Sequence, residues 1–258
     1  MKQIRLVILS FLLALMASGQ TSRQSMKQLI AEDMHFAVQQ YKFLMQQLPP
    51  DRMPRTYDSA KKELVTSNTR WWCSGFYPGT LWMLYAATKD PVIKKEAENR
   101  LTILEKEKSY TGSHDQGFKM FCSFGTAYGL TKDPAYKDVI FAAAAALSTR
   151  YRPSIASIQS WDSNKNFKCP VIIDNMMNLE LLEWVAKHGG DNKFDRIAVN
   201  HANTTMKNHY RPDHSSYHVV DYDLQSGAVS RKVTHQGYAD ESAWARGQAW
   251  GLYGFTMM

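Results

Sequence analysis

Three things are scarce in this 258-residue chain, and each scarcity removes a class of protein. Cysteine occurs only at Cys73, Cys122 and Cys169. An odd number leaves at least one thiol unpaired, and no two have a metal-site spacing, so the thiols read mostly as small buried apolar groups. Lysine and arginine give a formal charge of +7 but form no tight cluster. That excludes a nucleic-acid footprint, while the diffuse surplus suits an acidic saccharide. No apolar run reaches the roughly 20 residues that a membrane span needs.

What is present begins with a leader. Lys2 and Arg5 precede the apolar run Leu6 to Met16, and Ala17-Ser18-Gly19 follow, the layout of a secretory signal peptide. Residues 1–19 are therefore set aside. Residues 20–258 are expected to be exported as one domain, periplasmic, with no membrane attachment once the leader is removed. At 44% hydrophobic residues, the chain can bury a sizeable core.

Apolar spacing predicts helices in pairs. Ser25 to Leu48 forms one amphipathic helix closed by Pro49-Pro50, and 51–70 reads as a polar, irregular loop. Thr80 to Ala87 is almost wholly apolar, implying burial on all sides, and Val92 to Leu104 is its charged outer partner. The pattern recurs with Phe118 to Leu130 and Tyr136 to Tyr151. Both inner helices end in Tyr-x-x-Thr-Lys-Asp-Pro, at Tyr85 to Pro91 and at Tyr128 to Pro134. A proline there is well placed to start the next helix, so the repeat marks a repeated helical hairpin. Asp174 to Trp184 with Phe194 to Asn208 makes a third pair, and a fourth inner helix starts near Ala243. Tyr217 to Asp223 and Gly227 to Thr234 predict a small β-hairpin insert. The expected fold is all-α.

Each inner helix is preceded by residues that carry chemistry: Trp72, His114-Asp115, Asp174, and His235 to Arg246. If the inner helices run the same way, these sets meet at one end, where helix N-termini favour an anionic ligand. Asp174 alone could be a helix cap. With Asp115 beside it, two placed carboxylates point to acid/base chemistry. Arg246 and Trp250 share a helix face at i, i+4 spacing; an ion pair of Arg246 with Asp240 or Glu241 is the structural alternative. His209, His214 and His218 lie close in sequence but match no zinc spacing, so no metal or other cofactor is expected.

His114-Asp-Gln-Gly-Phe118, Ile172-Ile-Asp-Asn-Met-Met-Asn-Leu179, His218 in Ser-Tyr-His-Val-Val, and the block His235 to Gly254 resemble the unsaturated glucuronyl hydrolases of glycoside hydrolase family 88. The resemblance runs from about Trp71 to the C-terminus. It implies an (α/α)6 barrel, with the chain stopping short of the family's last helices, and removal of 4,5-unsaturated uronic acid from lyase-generated glycosaminoglycan oligosaccharides. It implies that Asp174 protonates the vinyl ether of the unsaturated ring and then assists water addition, with Asp115 as the neighbouring anion that raises its pKa. Trp72, His114, Trp161, His218, Gln236, Arg246 and Trp250 are matched to substrate-binding positions. The unsaturated rhamnogalacturonyl hydrolases, acting on pectin fragments, are the alternative within enzymes. A non-catalytic helical-repeat binding or scaffold protein is the alternative outside them.

Overall fold

The computed structural model describes residues 24–258, so the expected leader lies outside the described residues. Helix α1 (Met26–Gln47) opens with a capping box, Ser25 accepting the Gln28 N–H while the Gln28 side chain accepts the Ser25 N–H. The region 51–70 is not irregular. It contains an antiparallel hairpin of β1 (Met53–Asp58) and β2 (Glu63–Ser67). Arg55, Thr56 and Tyr57 of β1 all face solvent, so the apolar alternation that announces a strand never develops. The buried Arg100 guanidinium holds the chain entering this hairpin, donating to the carbonyls of Pro49, Pro50 and Arg52.

The repeated Tyr-x-x-Thr-Lys-Asp-Pro is a chemical joint between helices. Helix α2 (Phe76–Thr88) ends as the Thr88 hydroxyl donates to Leu84 O, and Lys89 turns left-handed at φ 58°. Asp90 then accepts the N–H groups of Val92 and Ile93, and Pro91 opens α3 (Pro91–Leu104). In the next hairpin Lys132 takes φ 59°, Asp133 accepts the Ala135 N–H and Pro134 opens α5 (Pro134–Ser148), following the short α4 (Thr126–Thr131). The tyrosine belongs to the joint as well. Lys89 Nζ lies 5.4 Å from the Tyr85 ring centroid, and Lys132 repeats that distance over Tyr128.

The third pair is α6 (Leu179–Lys187) and α7 (Lys193–His209), and α8 (Ala245–Met257) is the fourth inner helix. Inner and outer helices enclose a core that includes Leu81, Trp82, Ile93, Leu101, Ile140, Leu147, Leu181 and Leu182. Helix α2 is not covered all round, for Met83 is 65% exposed on one flank. The second inner segment opens with π-helical turns over Gly117–Gly125 before it becomes α4. The expected hairpin insert is β6 (Val219–Tyr222) and β7 (Val229–Val233), joined by an unforeseen strand β5 (Pro170–Ile172) in the antiparallel order β5-β6-β7. A two-residue ladder of β3 (Tyr151–Arg152) and β4 (Ser157–Ile158) lies between α5 and that sheet in sequence. No helix among the described residues is long and apolar enough to cross a membrane.

Candidate active site

The segments leading into the inner helices converge on a cleft of about 220 Å³, lined in part by Trp72, His114, Asp115, Trp161, Asp174, Gln236 and Arg246. Strand β5 delivers Asp174 to it. The Ile172 N–H donates to Ser160 Oγ and the Ile173 N–H to His218 O, so both neighbours of the turn are fixed. Asp174 is the second residue of a 3-10 turn, Ile173–Asn178, that leads into α6, and Ile172 occupies the cap position. Its side chain is therefore not the helix cap. It is 7% exposed, and Oδ2 has no hydrogen-bond partner among the described residues.

An unbonded carboxyl in that setting keeps its proton to a higher pH than an ordinary one. Burial pushes the Asp174 pKa up to about 6, with the Asp115 charge a lesser contributor, against the opposing pull of His114 and Arg246. Asp115 thus acts in the expected direction, but desolvation leads.

Asp115 is arranged in the opposite sense. Ser113 Oγ donates to its Oδ2, and His114 Nε2 lies 3.2 Å from Oδ1. Burial alone would raise its pKa, but His114, Ser113 and Lys119 hold it below the ordinary carboxylate value. His114 is buried too, and burial disfavours its charge, yet the Asp115 carboxylate raises its pKa on balance. The two shifts agree on an ionised pair. Two carboxyls with pKa values driven apart are the signature of divided acid and base duties.

His218 supplies a third fixed state. Its Nδ1 accepts the backbone N–H groups of His235 and Gln236 at 3.0 and 3.2 Å. Those bonds require Nδ1 to be unprotonated, so the neutral ring carries its proton on Nε2. Burial, reinforced by the His235 charge, lowers its pKa to about 3, in line with that bonding.

Arg246, Trp72 and Trp161 complete the lining. Arg246 donates to Gln236 Oε1, and its guanidinium lies 4.5 Å from the Trp244 ring and 5.7 Å from the Trp72 ring. The alternative ion pairs are not formed: Glu241 lies 3.7 Å from Arg211, and Asp240 accepts the Thr234 N–H. Trp161 stands in the cleft wall beside His235. Trp250 does not line the cleft; it packs edge-on against Phe118, which in turn packs against Trp72. His218 likewise stands behind Asp174 rather than in the lining.

Four contributors had no role of their own assigned from the sequence, although three of them lie inside its motifs. Trp244 lies inside the final motif, and its ring centroid is 4.4 Å from that of His218. Ser113 precedes His114 and bonds Asp115. His235 lines the cleft. Asn178 ties two site-bearing turns together, its Oδ1 accepting the N–H groups of Gly117 and Phe118. That approach requires glycine at 117, because a Cβ there would lie 2.6 Å from Asn178 Cα. No group of three His, Cys, Asp or Glu side chains that could hold a metal occurs among the described residues.

A model described as Glycosyl Hydrolase Family 88 matches residues 45–258. An unsaturated glucuronyl hydrolase of Formosa agariphila is 48% identical over 211 residues, covering 80% of this chain and 52% of that protein. An unsaturated chondroitin disaccharide hydrolase of Streptococcus pyogenes serotype M1 is 33% identical over 233 residues, covering 88% and 58%. The crystal structure of an unsaturated glucuronyl hydrolase specific for heparin superposes with a TM-score of 0.84 at 42% identity, over 88% of this chain and 61% of that one. The helical architecture is therefore of the (α/α)6-barrel class. The chain spans about half the length of the curated relatives it matches.

Proposed function

This chain belongs to glycoside hydrolase family 88, and from that premise we propose that it removes 4,5-unsaturated uronic acid from the non-reducing end of glycosaminoglycan oligosaccharides. The observation that carries the reading is the contrast between two carboxyls lining one cleft, the buried Asp174 with its pKa raised to about 6 and the half-buried Asp115 held low. The vinyl-ether hydration that the family resemblance implies needs one group to give a proton to carbon 4 and then to assist water at carbon 5. A carboxyl with a pKa near the working pH serves both steps.

The other residues have complementary duties in this proposal. Asp115, ionised and pinned by Ser113 and His114, accepts hydrogen bonds from sugar hydroxyls. Arg246, with no carboxylate partner among the described residues, is available to a uronate carboxylate. Trp72 and Trp161 offer apolar faces to the ring. After water adds at carbon 5, the hemiketal opens and releases the leaving sugar. The relatives whose names specify chondroitin disaccharide and heparin support a glycosaminoglycan source for the substrate.

The test is the loss of ultraviolet absorbance of the conjugated double bond when the full-length protein meets unsaturated chondroitin and heparin disaccharides. Loss with the wild type and none with Asp174→Asn is expected. Persistence of the absorbance with both substrates, in folded protein, overturns the proposal.

A further inference from the structure

A group of contacts outside the cleft ends on one of its walls. Asp221 on β6 faces Arg231 across the β6–β7 ladder, and Asp221 is 3% exposed. Its two oxygens accept the backbone N–H groups of Cys169 and Lys168 at 2.8 and 3.2 Å, and Arg231 Nε lies 3.7 Å from Oδ2. The same guanidinium donates to Asn166 O and lies 4.7 Å over the Phe167 ring. Phe167 meets Trp161 edge-on at 5.4 Å, and Trp161 lines the cleft.

The segment between Trp161 and Cys169 is held at its ends by Arg150 on Asp162 (3.1 Å) and Lys168 on Asp223 (3.0 Å), and Ser163 Oγ donates to Lys168 O; the Phe167 end that meets Trp161 is held by the Arg231 contacts. Residues 162–166 are exposed, and their internal order is one tight turn, in which Asn164 and Phe167 exchange backbone hydrogen bonds while Asn164 Oδ1 caps Asn166 and Phe167. A turn of that size fixes its own shape but not its direction. At the Phe167 end the direction comes from Asp221, which accepts the Lys168 and Cys169 N–H groups, and from Arg231, which bonds Asn166 O and covers the Phe167 ring. A planar guanidinium suits this double duty, bonding a carbonyl in its plane while its face covers a ring.

We propose that Arg231 is a positioning residue for the cleft: anchored at Asp221 and laid over Phe167, it holds loop 161–168 so that the Trp161 indole stands as a wall against the sugar ring. The sugar in this statement rests on the functional reading above; the holding of the loop does not. Arg231 touches no lining residue of the cleft in the contacts described, so its influence on substrate passes through Phe167 and Trp161.

The experiment compares wild type, Arg231→Ala, Arg231→Lys, Trp161→Ala and Arg231→Ala/Trp161→Ala as full-length proteins, with amide hydrogen exchange and with kinetics on unsaturated chondroitin disaccharide. Arg231→Ala is expected to speed exchange of amides in 163–168 by about tenfold, because a loop without its anchor opens more readily. It is expected to raise KM about fivefold with kcat changed less than about twofold, the pattern of lost binding rather than lost chemistry. Arg231→Lys keeps the charge beside Asp221 but not the planar stack, and falls between. In the double variant the KM effects are not additive, since removing Trp161 leaves Arg231 nothing to position. Unchanged loop exchange in Arg231→Ala, or full additivity with Trp161→Ala, overturns the proposal. If the wild type leaves the disaccharide intact, the functional reading fails instead, and loop exchange alone still decides whether Arg231 is the anchor.

Discussion

His218 Nε2 stands 3.6 Å from Asp174 Oδ2, and neither atom has a hydrogen-bond partner among the described residues. Since Nδ1 is occupied by the amides of His235 and Gln236, the ring can present only an N–H toward the carboxyl. The separation is just beyond a hydrogen bond. A small approach, as Asp174 becomes charged after giving up its proton, would complete one. In the proposed reaction, His218 would stabilise the carboxylate that proton transfer creates and not the acid that precedes it, the differential binding that catalysis needs.

This predicts the behaviour of His218→Asn. An asparagine oxygen replaces the Nδ1 acceptor for the two backbone amides, so the fold is kept, while the donor toward Asp174 is lost. We expect kcat to fall about a hundredfold, the scale of losing one preorganised donor, with the melting temperature little changed. A fall in stability without a fall in kcat would place His218 in the framework alone.

The pH profile follows from the opposed carboxyls. Asp174 must carry a proton to act as acid, and its pKa is about 6. The rate kcat/KM is therefore expected to decline as pH rises through about 6 and to show its acidic limb lower, where Asp115, held below the usual value, takes up its proton. A profile still rising above pH 7 would contradict the assignment.

The raised pKa is also a statement about stability. The folded state holds the Asp174 proton more tightly than the unfolded chain, so the contribution is present below the ordinary value of 3.8 and is lost as pH climbs through about 6. At neutral pH the buried, ionised carboxyl costs the fold up to roughly 3 kcal/mol. Asp174→Asn should therefore melt higher than wild type at pH 7.5, with the gap closing at pH 4. Thermal unfolding at the two pH values checks this.

Buried histidines work in the other direction. His201 accepts the Ile158 N–H on Nδ1, and His209 bonds Val171 O through Nε2. Burial lowers their pKa values to about 3 and about 4, and that of His218 to about 3. An unfolded chain binds those protons from about pH 6.5 downward, so stability falls as pH drops below that point, by up to about 1.4 kcal/mol per pH unit per group. His201→Asn keeps the acceptor for Ile158 and removes one titration. Its acid unfolding, followed by circular dichroism, should be shallower than that of the wild type.

How much of this could be read in the sequence varies with the physics of each element. The hairpins could be, because apolar spacing and the Thr-Lys-Asp-Pro joints are local chemistry repeated twice. The β1–β2 hairpin could not: Arg55, Thr56 and Tyr57 in the middle of β1 face solvent, and the Arg100 contacts that fasten its entry come from α3, far away in sequence. The π-helical turns over Gly117–Gly125 keep the apolar composition of an α-helix, and composition does not record a change of hydrogen-bond register. At the site, Asp115 and Asp174 were legible as carboxyls ahead of apolar helices. What set them apart was not: the Ser113 and His114 contacts to Asp115 are local but depend on the shape of the turn, which residue types do not record, and the burial of Asp174 arises only when separate segments meet. Trp250, matched to a substrate-binding position by resemblance, stands one layer behind the cleft lining, because α8 turns it onto Phe118.

The division of protonation between Asp174 and Asp115 is most directly tested by infrared titration of the protein without substrate, comparing wild type with Asp174→Asn and Asp115→Asn. The account predicts a protonated-carboxyl band that disappears with a midpoint near pH 6 and is absent from Asp174→Asn. Asp115→Asn should retain the band with its midpoint moved lower, because the Asp115 charge contributes to raising it. A band that titrates near pH 4, or one that survives in Asp174→Asn and vanishes in Asp115→Asn, would contradict it.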